Sequence, residues 1–133
     1  MQIPDRAGVM LLDGCPLFPR AMVPLFIFEP RYRSLLADAL KGDRMMCLAM
    51  RQPGAGAERP NRLAGLGLIR VSVTHSNGTS HLMLQGLTRV RLGRAVQTKP
   101  YRVHRIEPAE EQTSETLVSD ALVARLLDLV ETR

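Results

Sequence analysis

The chain has 133 residues, of which 45% are hydrophobic, and a formal net charge of +5. This length suits one domain with its own core, and no apolar run approaches the roughly 20 residues of a membrane span. The first residues lack the apolar stretch of a signal peptide, and two cysteines fit a reducing compartment. We therefore expect a cytoplasmic protein without a membrane partner.

The charge is unevenly distributed along the chain. Residues 1–105 carry 16 Lys and Arg against 6 Asp and Glu, whereas residues 106–133 carry 2 against 7. A basic body attracts anions such as nucleic acid. Because the arginines are scattered rather than run together, we favour a solvated surface over a nucleic-acid interface. The acidic end could also neutralise part of the basic body.

The N-terminal third is rich in prolines and aromatic rings. The apolar run from Val9 to Leu12 predicts a strand. The prolines that follow predict an extended, irregular segment or a sheet edge, because proline fixes φ and donates no hydrogen bond. Leu25 to Phe28 is interpreted as a buried strand or a loop anchor. The stretch from Pro16 to Arg33 holds four of the nine prolines and four of the five aromatics, which indicates either a binding surface or a core anchor.

A helix is predicted near residues 30–41. Glu29 and Pro30 suit a helix start, since proline is tolerated in the first turn. Gly42 is the expected stop. The apolar residues between these ends recur at helical spacing and form one face, at Tyr32, Leu35, Leu36, Ala39 and Leu40.

Strand patterns dominate the middle of the chain. The short apolar run from Met45 to Met50 predicts a central strand, and a turn-rich loop follows it at 51–62. Gly65 to Thr74 alternates, with a phase slip near Ile69 that indicates a bulge. Asn77-Gly78 predicts a tight type I′ hairpin turn.

Three further strands are predicted after the hairpin. The return strand runs from Thr79 to Gln85 and is broken by Gly86, where glycine weakens strand pairing. Leu87 to Leu92 alternates apolar and polar residues. Tyr101 to Ile106 alternates again and places Arg102, His104 and Ile106 on one face.

A second helix is predicted at the C-terminal end, near residues 114–131. Ser114 can cap it, and Glu115 suits its positive end. The apolar stripe of this helix must be buried against the body or against another chain, so a homodimer is one option. We divide the chain into a domain at 1–112 and a helix at 113–133. The stripe comprises Val118, Leu122, Val123, Leu126, Leu129 and Val130.

The sequence offers little catalytic chemistry. It contains neither the phosphate-binding G-x-x-x-x-G-K-[ST] nor G-x-G-x-x-G nor G-x-S-x-G. Cys15 and Cys47 are isolated and form no C-x-x-C metal motif. His75, His81 and His104 lie on or near adjacent predicted strands and could meet, but surface histidines are the simpler interpretation. We therefore predict no enzyme, no catalytic residue, no metal and no cofactor.

Two stretches together resemble a known family. LFPRAMVPLFIFEPRYRSLLADAL resembles the start of the N-terminal substrate-binding domain of Lon proteases, and the order of later motifs agrees. GLGLIRVSV and NGTSHLMLQGLTRVRL, with Gly86 and Arg89, resemble its central hairpin, and YRVHRIEP resembles its closing strand. The resemblance spans Val9 to Pro108. Arg20 stands where the family often has glycine, so we expect a differently shaped loop after Pro19.

The resemblance implies a fold, and we expect either a stand-alone form of this domain or a chain cut to it, and not an ATP-driven protease. Full Lon proteases continue into ATPase and protease domains, whose motifs this sequence lacks. The family's fold is a PUA-like β pseudo-barrel with an inserted helix, so we expect an α+β protein that is mainly β. In such a fold, Phe18, Phe26 and Phe28 are expected to anchor the proline-rich segment on the barrel.

The function that the resemblance implies is non-catalytic binding of proteins or peptides. The expected partners are unfolded or exposed hydrophobic protein segments. We expect the contacts at Arg20, Ala21, Met22 and Val23, because a loop between prolines can expose apolar side chains at small entropic cost. The alternative is an RNA-binding PUA-like module, which the basic body would suit.

Overall fold

A computed structural model describes residues 2–13, 17–52 and 59–109. This part of the chain is mainly β with one helix, and the predicted helix at 114–131 lies outside it. No helix of the described residues is long and apolar enough to cross a membrane. The elements are β1 (Arg6–Leu12), β2 (Met22–Ile27), α1 (Pro30–Lys41), β3 (Met45–Arg51), β4 (Pro60–Thr74), β5 (Ser80–Gln97) and β6 (Arg102–Pro108).

The strands form one sheet that closes on itself. Their order is β2-β5-β4-β3-β1-β6, and a further pairing of β5 with β6 closes five of them into a ring. The β1–β3 pair is parallel and the other pairs are antiparallel. Two strands share one edge of the long strand β5: β2 pairs with residues 80–85 and β6 with residues 90–97. Among the described strands, none pairs with the other edge of β2, which we call the free edge of β2.

The helix packs beside the end of β1 that β6 does not pair with. β6 pairs with β1 only as far as Val9, and beyond that point the buried N–H of Leu11 donates to the Tyr32 hydroxyl (3.1 Å). Leu35 and Leu36 of the same helix join the core. Gly42 ends the helix as predicted, with its N–H shared between the carbonyls of Asp38 and Ala39. Burying each such side chain stabilises the fold by about 1.5–3 kcal/mol.

The core has two clusters of buried side chains. The first lies under α1 and includes Ile27, Met46 and Leu84, while the second includes Cys47 and Val90. Because Met46 and Cys47 are neighbours on β3, the two clusters lie on opposite faces of that strand. The prediction that Met45 to Met50 is a central strand is confirmed, because β3 lies between β1 and β4.

The β4–β5 hairpin has the predicted bulge but a different turn. The register shifts between Ile69 and Val71, at the phase slip seen in the sequence. The prediction of a type I′ turn is wrong. Gly78 has a φ of 90°, but Asn77 does not have the positive φ that such a turn also requires. The reason is that the Asn77 side chain accepts hydrogen bonds from the N–H and hydroxyl of Thr79, which fixes a turn centred one residue earlier.

Gly86 does not break the strand, contrary to prediction. β5 continues through it as one strand of 18 residues. The Gly86 N–H donates to the Ala21 carbonyl (2.8 Å), and a Cβ at this position would overlap the Phe18 carbonyl oxygen. Glycine is therefore required here because the segment before β2 crosses close to the strand.

We predict that Gly86→Ala destabilises the protein by about 2 kcal/mol or more, because the Phe18 backbone must move. Gly93→Ala is the matched control on the same strand, since a Cβ there meets the Arg105 carbonyl at an ordinary 3.4 Å. The control should change stability by less than about 1 kcal/mol in urea unfolding. Equal losses in the two variants would contradict the close-approach explanation.

Candidate functional site

The alternation of β2 decides which of its side chains reach solvent. Successive side chains of a strand point to opposite faces. Leu25 and Ile27 are buried in the core, so Met22, Pro24 and Phe26 between and before them face outward and are exposed.

The three phenylalanines do not anchor the segment, so that prediction is wrong. Phe18, Phe26 and Phe28 are 52%, 45% and 57% exposed. The anchor is Leu17, which is 3% exposed and packs in the first core cluster. The signal was present in the sequence: once Leu25 and Ile27 fill the core, strand periodicity sends the rings outward.

Strand register brings these rings next to apolar residues of two other strands. One row across β2, β5 and β4 consists of Phe26, His81 and Val73. The neighbouring row consists of Pro24, Met83 and Val71. A shallow depression of about 480 Å³ lies across this region. We call this surface the outer apolar face; it comprises Pro24, Phe26, Phe28, Val71, Val73, His81 and Met83.

A row of rings runs along one side of the face. The ring centroids of Phe26 and Phe28 are 5.7 Å apart and stacked, and those of Phe26 and His81 are 4.6 Å apart. His75 meets His81 edge-on, with Nε2 of the first 2.6 Å from Nδ1 of the second. Rings in these arrangements attract one another beyond simple burial, which holds the row in place.

Only two of the three predicted histidines come together. His104 is buried elsewhere, with its Nδ1 2.9 Å from the Gly93 carbonyl oxygen. Among residues 2–13, 17–52 and 59–109, no group of three or more His, Cys, Asp or Glu could hold a metal ion. The His75–His81 pair is thus part of the ring row.

A narrower depression of about 300 Å³ lies where the free edge of β2 approaches the end of β1. We call it the edge groove. Its walls include Met10, Leu12, Leu25 and Tyr32, which are apolar or aromatic. Its rim carries charged residues in pairs: Arg51 with Asp13 (3.0 Å) and Arg31 with Glu29 (3.1 Å).

A third depression, of about 240 Å³, lies away from both surfaces. Phe18, Leu63 and Arg89 line it, and the Arg89 guanidinium carbon is 5.9 Å from the centre of the Phe18 ring. It offers two exposed apolar side chains, fewer than the outer apolar face.

The four predicted contact residues are placed differently from one another. Met22 and Arg20 are exposed, and Ala21 is half-buried. Val23 points inward and packs against the first core cluster. Met22 is the member of this segment that shares the outward side of β2 with Phe26.

Two groups with shifted pKa lie outside the outer apolar face. Burial in the core raises the pKa of the Cys47 thiol to about 12. Burial and then the hydrogen bond to Asp38 (2.6 Å) raise the pKa of the Tyr101 hydroxyl to about 12. Neither places a reactive group on the face, whose rings and methyl groups suit binding by apolar contact.

Comparison with known proteins identifies the family. The family model described as the ATP-dependent protease La (LON) substrate-binding domain matches residues 7–133. The chain belongs to this family. Lon protease of Dictyoglomus thermophilum is 26% identical over 97% of the chain, and that of Chloroflexus aurantiacus is 39% identical over 75%. The chain spans 17% and 13% of the lengths of these two relatives.

Solved structures of Lon N-terminal domains share the fold. A Lon N-terminal domain protein from Xanthomonas campestris superposes with a TM-score of 0.63 at 22% identity, covering 92% of this chain and 73% of that one. The N-terminal domain of Mycobacterium avium complex Lon protease gives 0.62 at 14% identity, covering 96% and 75%.

The Lon-like motif contains one strained residue. Arg20 has a φ of 72°, in the left-handed region that favours glycine, and its N–H donates to the Gly86 carbonyl (2.8 Å). This backbone geometry is a physical reason for glycine to suit the position, and arginine adopts it at a cost.

We predict that Arg20→Gly stabilises the protein by about 1 kcal/mol, because glycine removes the steric cost of the left-handed conformation. Urea unfolding measures the change. Arg20→Ala is the matched control, because it removes the same side chain and keeps the strain. A glycine variant no more stable than the alanine variant would show that the residue is unstrained.

Proposed function

We propose that this protein is a non-catalytic module that binds exposed apolar segments of other proteins through the outer apolar face. The observation that carries the proposal is the contiguous set of exposed rings and methyl groups on β2, β5 and β4. Contiguous exposed apolar surface of this kind marks interaction sites, since leaving it in water is costly.

The chemistry of the face suits apolar side chains of a partner. Phe26 is at its centre, between Phe28 and His81, and aromatic residues contribute much of the energy at protein interfaces. Removing apolar area from water yields about 25 cal/mol per Å². Binding to the face is therefore most favourable for partners that already expose apolar residues, such as unfolded chains.

The family supports the same function. Its description names a substrate-binding domain, and the two Lon proteases named above align along 17% and 13% of their length. We therefore propose substrate recognition for this chain. We also infer that the closed ring of strands with its inserted helix is a PUA-like pseudo-barrel.

The predicted segment Arg20–Val23 extends the proposed site at one end. Met22 supplies an exposed apolar side chain on the same side of β2 as Phe26, and Arg20 is exposed beside it. A partner that covers Phe26 and continues along β2 would reach Met22 within about 14 Å, at roughly 3.4 Å per residue.

Peptide binding is favoured over RNA binding by the charge of the face. Its ring row could stack on bases, but the face as defined contains no lysine or arginine to bind phosphate. Phosphate-driven binding weakens steeply as salt rises, whereas apolar contact does not. Salt therefore separates the two functions.

We predict that Val71→Asp weakens binding of a fluorescent, permanently unfolded polypeptide by about tenfold or more, because it places a charge in the apolar contact. Leu63→Asp is the matched control on the same strand: the two wild-type side chains are 57% and 49% exposed. Leu63→Asp should bind as the wild type does. Thermal melting confirms that both variants fold.

The outcomes separate the alternatives. If only Leu63→Asp loses polypeptide binding, the binding site is the third depression, which Phe18 lines, and not the outer apolar face. Wild-type binding that persists from low to high salt supports the proposal. Binding of a short RNA that disappears at high salt, without polypeptide binding, would replace it with nucleic-acid recognition.

A further inference from the structure

We propose that the free edge of β2 holds its partner as an added β-strand: an extended, uncharged segment of another polypeptide pairs with the backbone of Met22, Pro24 and Phe26. The inference rests on the proposed function and specifies how the apolar segment is bound. It makes the backbone of the partner, and not only its side chains, part of the recognition.

The hairpin establishes which backbone groups of β5 point toward β2. His75 N–H donates to the Thr79 carbonyl (2.7 Å), so Thr79 faces β4. Backbone groups of successive strand residues point to alternate edges. His81 and Met83 therefore face β4 as well, and Leu82 and Leu84 face β2.

The other end of the β2–β5 pair gives the same alternation. Gly86 N–H donates to the Ala21 carbonyl (2.8 Å), so Ala21 faces β5. Leu25, in register with Leu82, therefore also faces β5. Met22, Pro24 and Phe26 then face the free edge and offer it three carbonyl groups and two N–H groups, because proline has none.

This arrangement explains why a proline lies inside a strand. At Pro24 the missing N–H would point away from β5, so the existing ladder loses no hydrogen bond. The edge keeps donors at Met22 and Phe26. Only an extended chain matches groups repeated at every second residue, which is the basis of recognition by strand addition.

The flanks of the edge specify the side chains of the partner. An added strand would direct alternate side chains toward Phe26 on the outer apolar face and toward Met10 and Tyr32 in the edge groove. The carboxylates at the groove rim, Asp13 and Glu29, each have an arginine partner at 3.0–3.1 Å. The groove thus matches uncharged residues better than charged ones.

A second copy of β2 is a poor occupant of the edge. Two β2 strands paired edge to edge would each place Pro24 in the new ladder, where it cannot donate. Proline on an edge strand is a known protection against self-association of this kind. The partner is therefore a different chain, with a full set of amide donors.

The first test is N-methyl scanning of a defined peptide. The probe is a capped peptide of about eight residues in which one leucine and one phenylalanine, two positions apart, are flanked by threonine and serine. Methylating one amide at a time should weaken binding about fivefold or more at every second residue, and by less than about twofold at those between.

The second test changes the protein edge. Met22→Pro removes an edge donor and should weaken binding of the unmodified peptide about fivefold. Met22→Leu keeps the donor and an apolar side chain, so it should weaken binding by less than Met22→Pro does. Thermal melting checks the fold of both variants. If Met22→Pro does not fold, the N-methyl series still decides the question.

Failure of this inference differs from failure of the proposed function. If the wild type binds the unfolded polypeptide but the peptide fails to bind or shows no alternation, strand addition is wrong and apolar binding stands. If the wild type binds neither, the proposed function is wrong as well.

Discussion

The long strand β5 is the element on which the rest of the structure depends. Its first part pairs with β2 and its last part with β6, while β4 runs along its other edge. One strand thus closes the ring and also carries an extra strand outside it. Because β2 lies beside this ring rather than within it, β2 keeps one free edge and one exposed face.

Continuity of β5 depends on a residue without a side chain. Gly86 allows the segment from Leu17 to Ala21 to cross close to the strand, and this crossing starts β2 in register. Arg20 adopts a left-handed conformation in the same crossing. Strained backbone conformations such as that of Arg20 are concentrated at functional sites. The strand that carries part of the outer apolar face begins two residues after Arg20.

Stability and binding use different residues of the same strand. Leu25 and Ile27 pack under α1, while Phe26 and Phe28 remain in solvent. Substituting the outward rings removes little core packing, so recognition can change with little cost in folding free energy. The separation follows from strand geometry, since neighbouring side chains face opposite sides of the sheet.

The sequence by itself determined the elements with strong local patterns. The helix from Pro30 to Lys41, the central strand β3 and the bulge after Ile69 follow from periodicity, proline and glycine positions, which act over a few residues. The Lon-like motifs in FPRAMVPLFIFEPRY identified the family from residue order alone.

Only the tertiary structure decided which apolar residues are buried and which face solvent. The sequence could not show that Phe26, His81 and Val73 lie side by side, because register joins strands far apart in the chain. It could not distinguish a glycine that breaks a strand from Gly86, which makes room for another segment. Local patterns determine whether a segment is a helix or a strand, whereas long-range pairing determines which residues lie next to it. The candidate site is formed by residues of three strands, so it depends on long-range pairing.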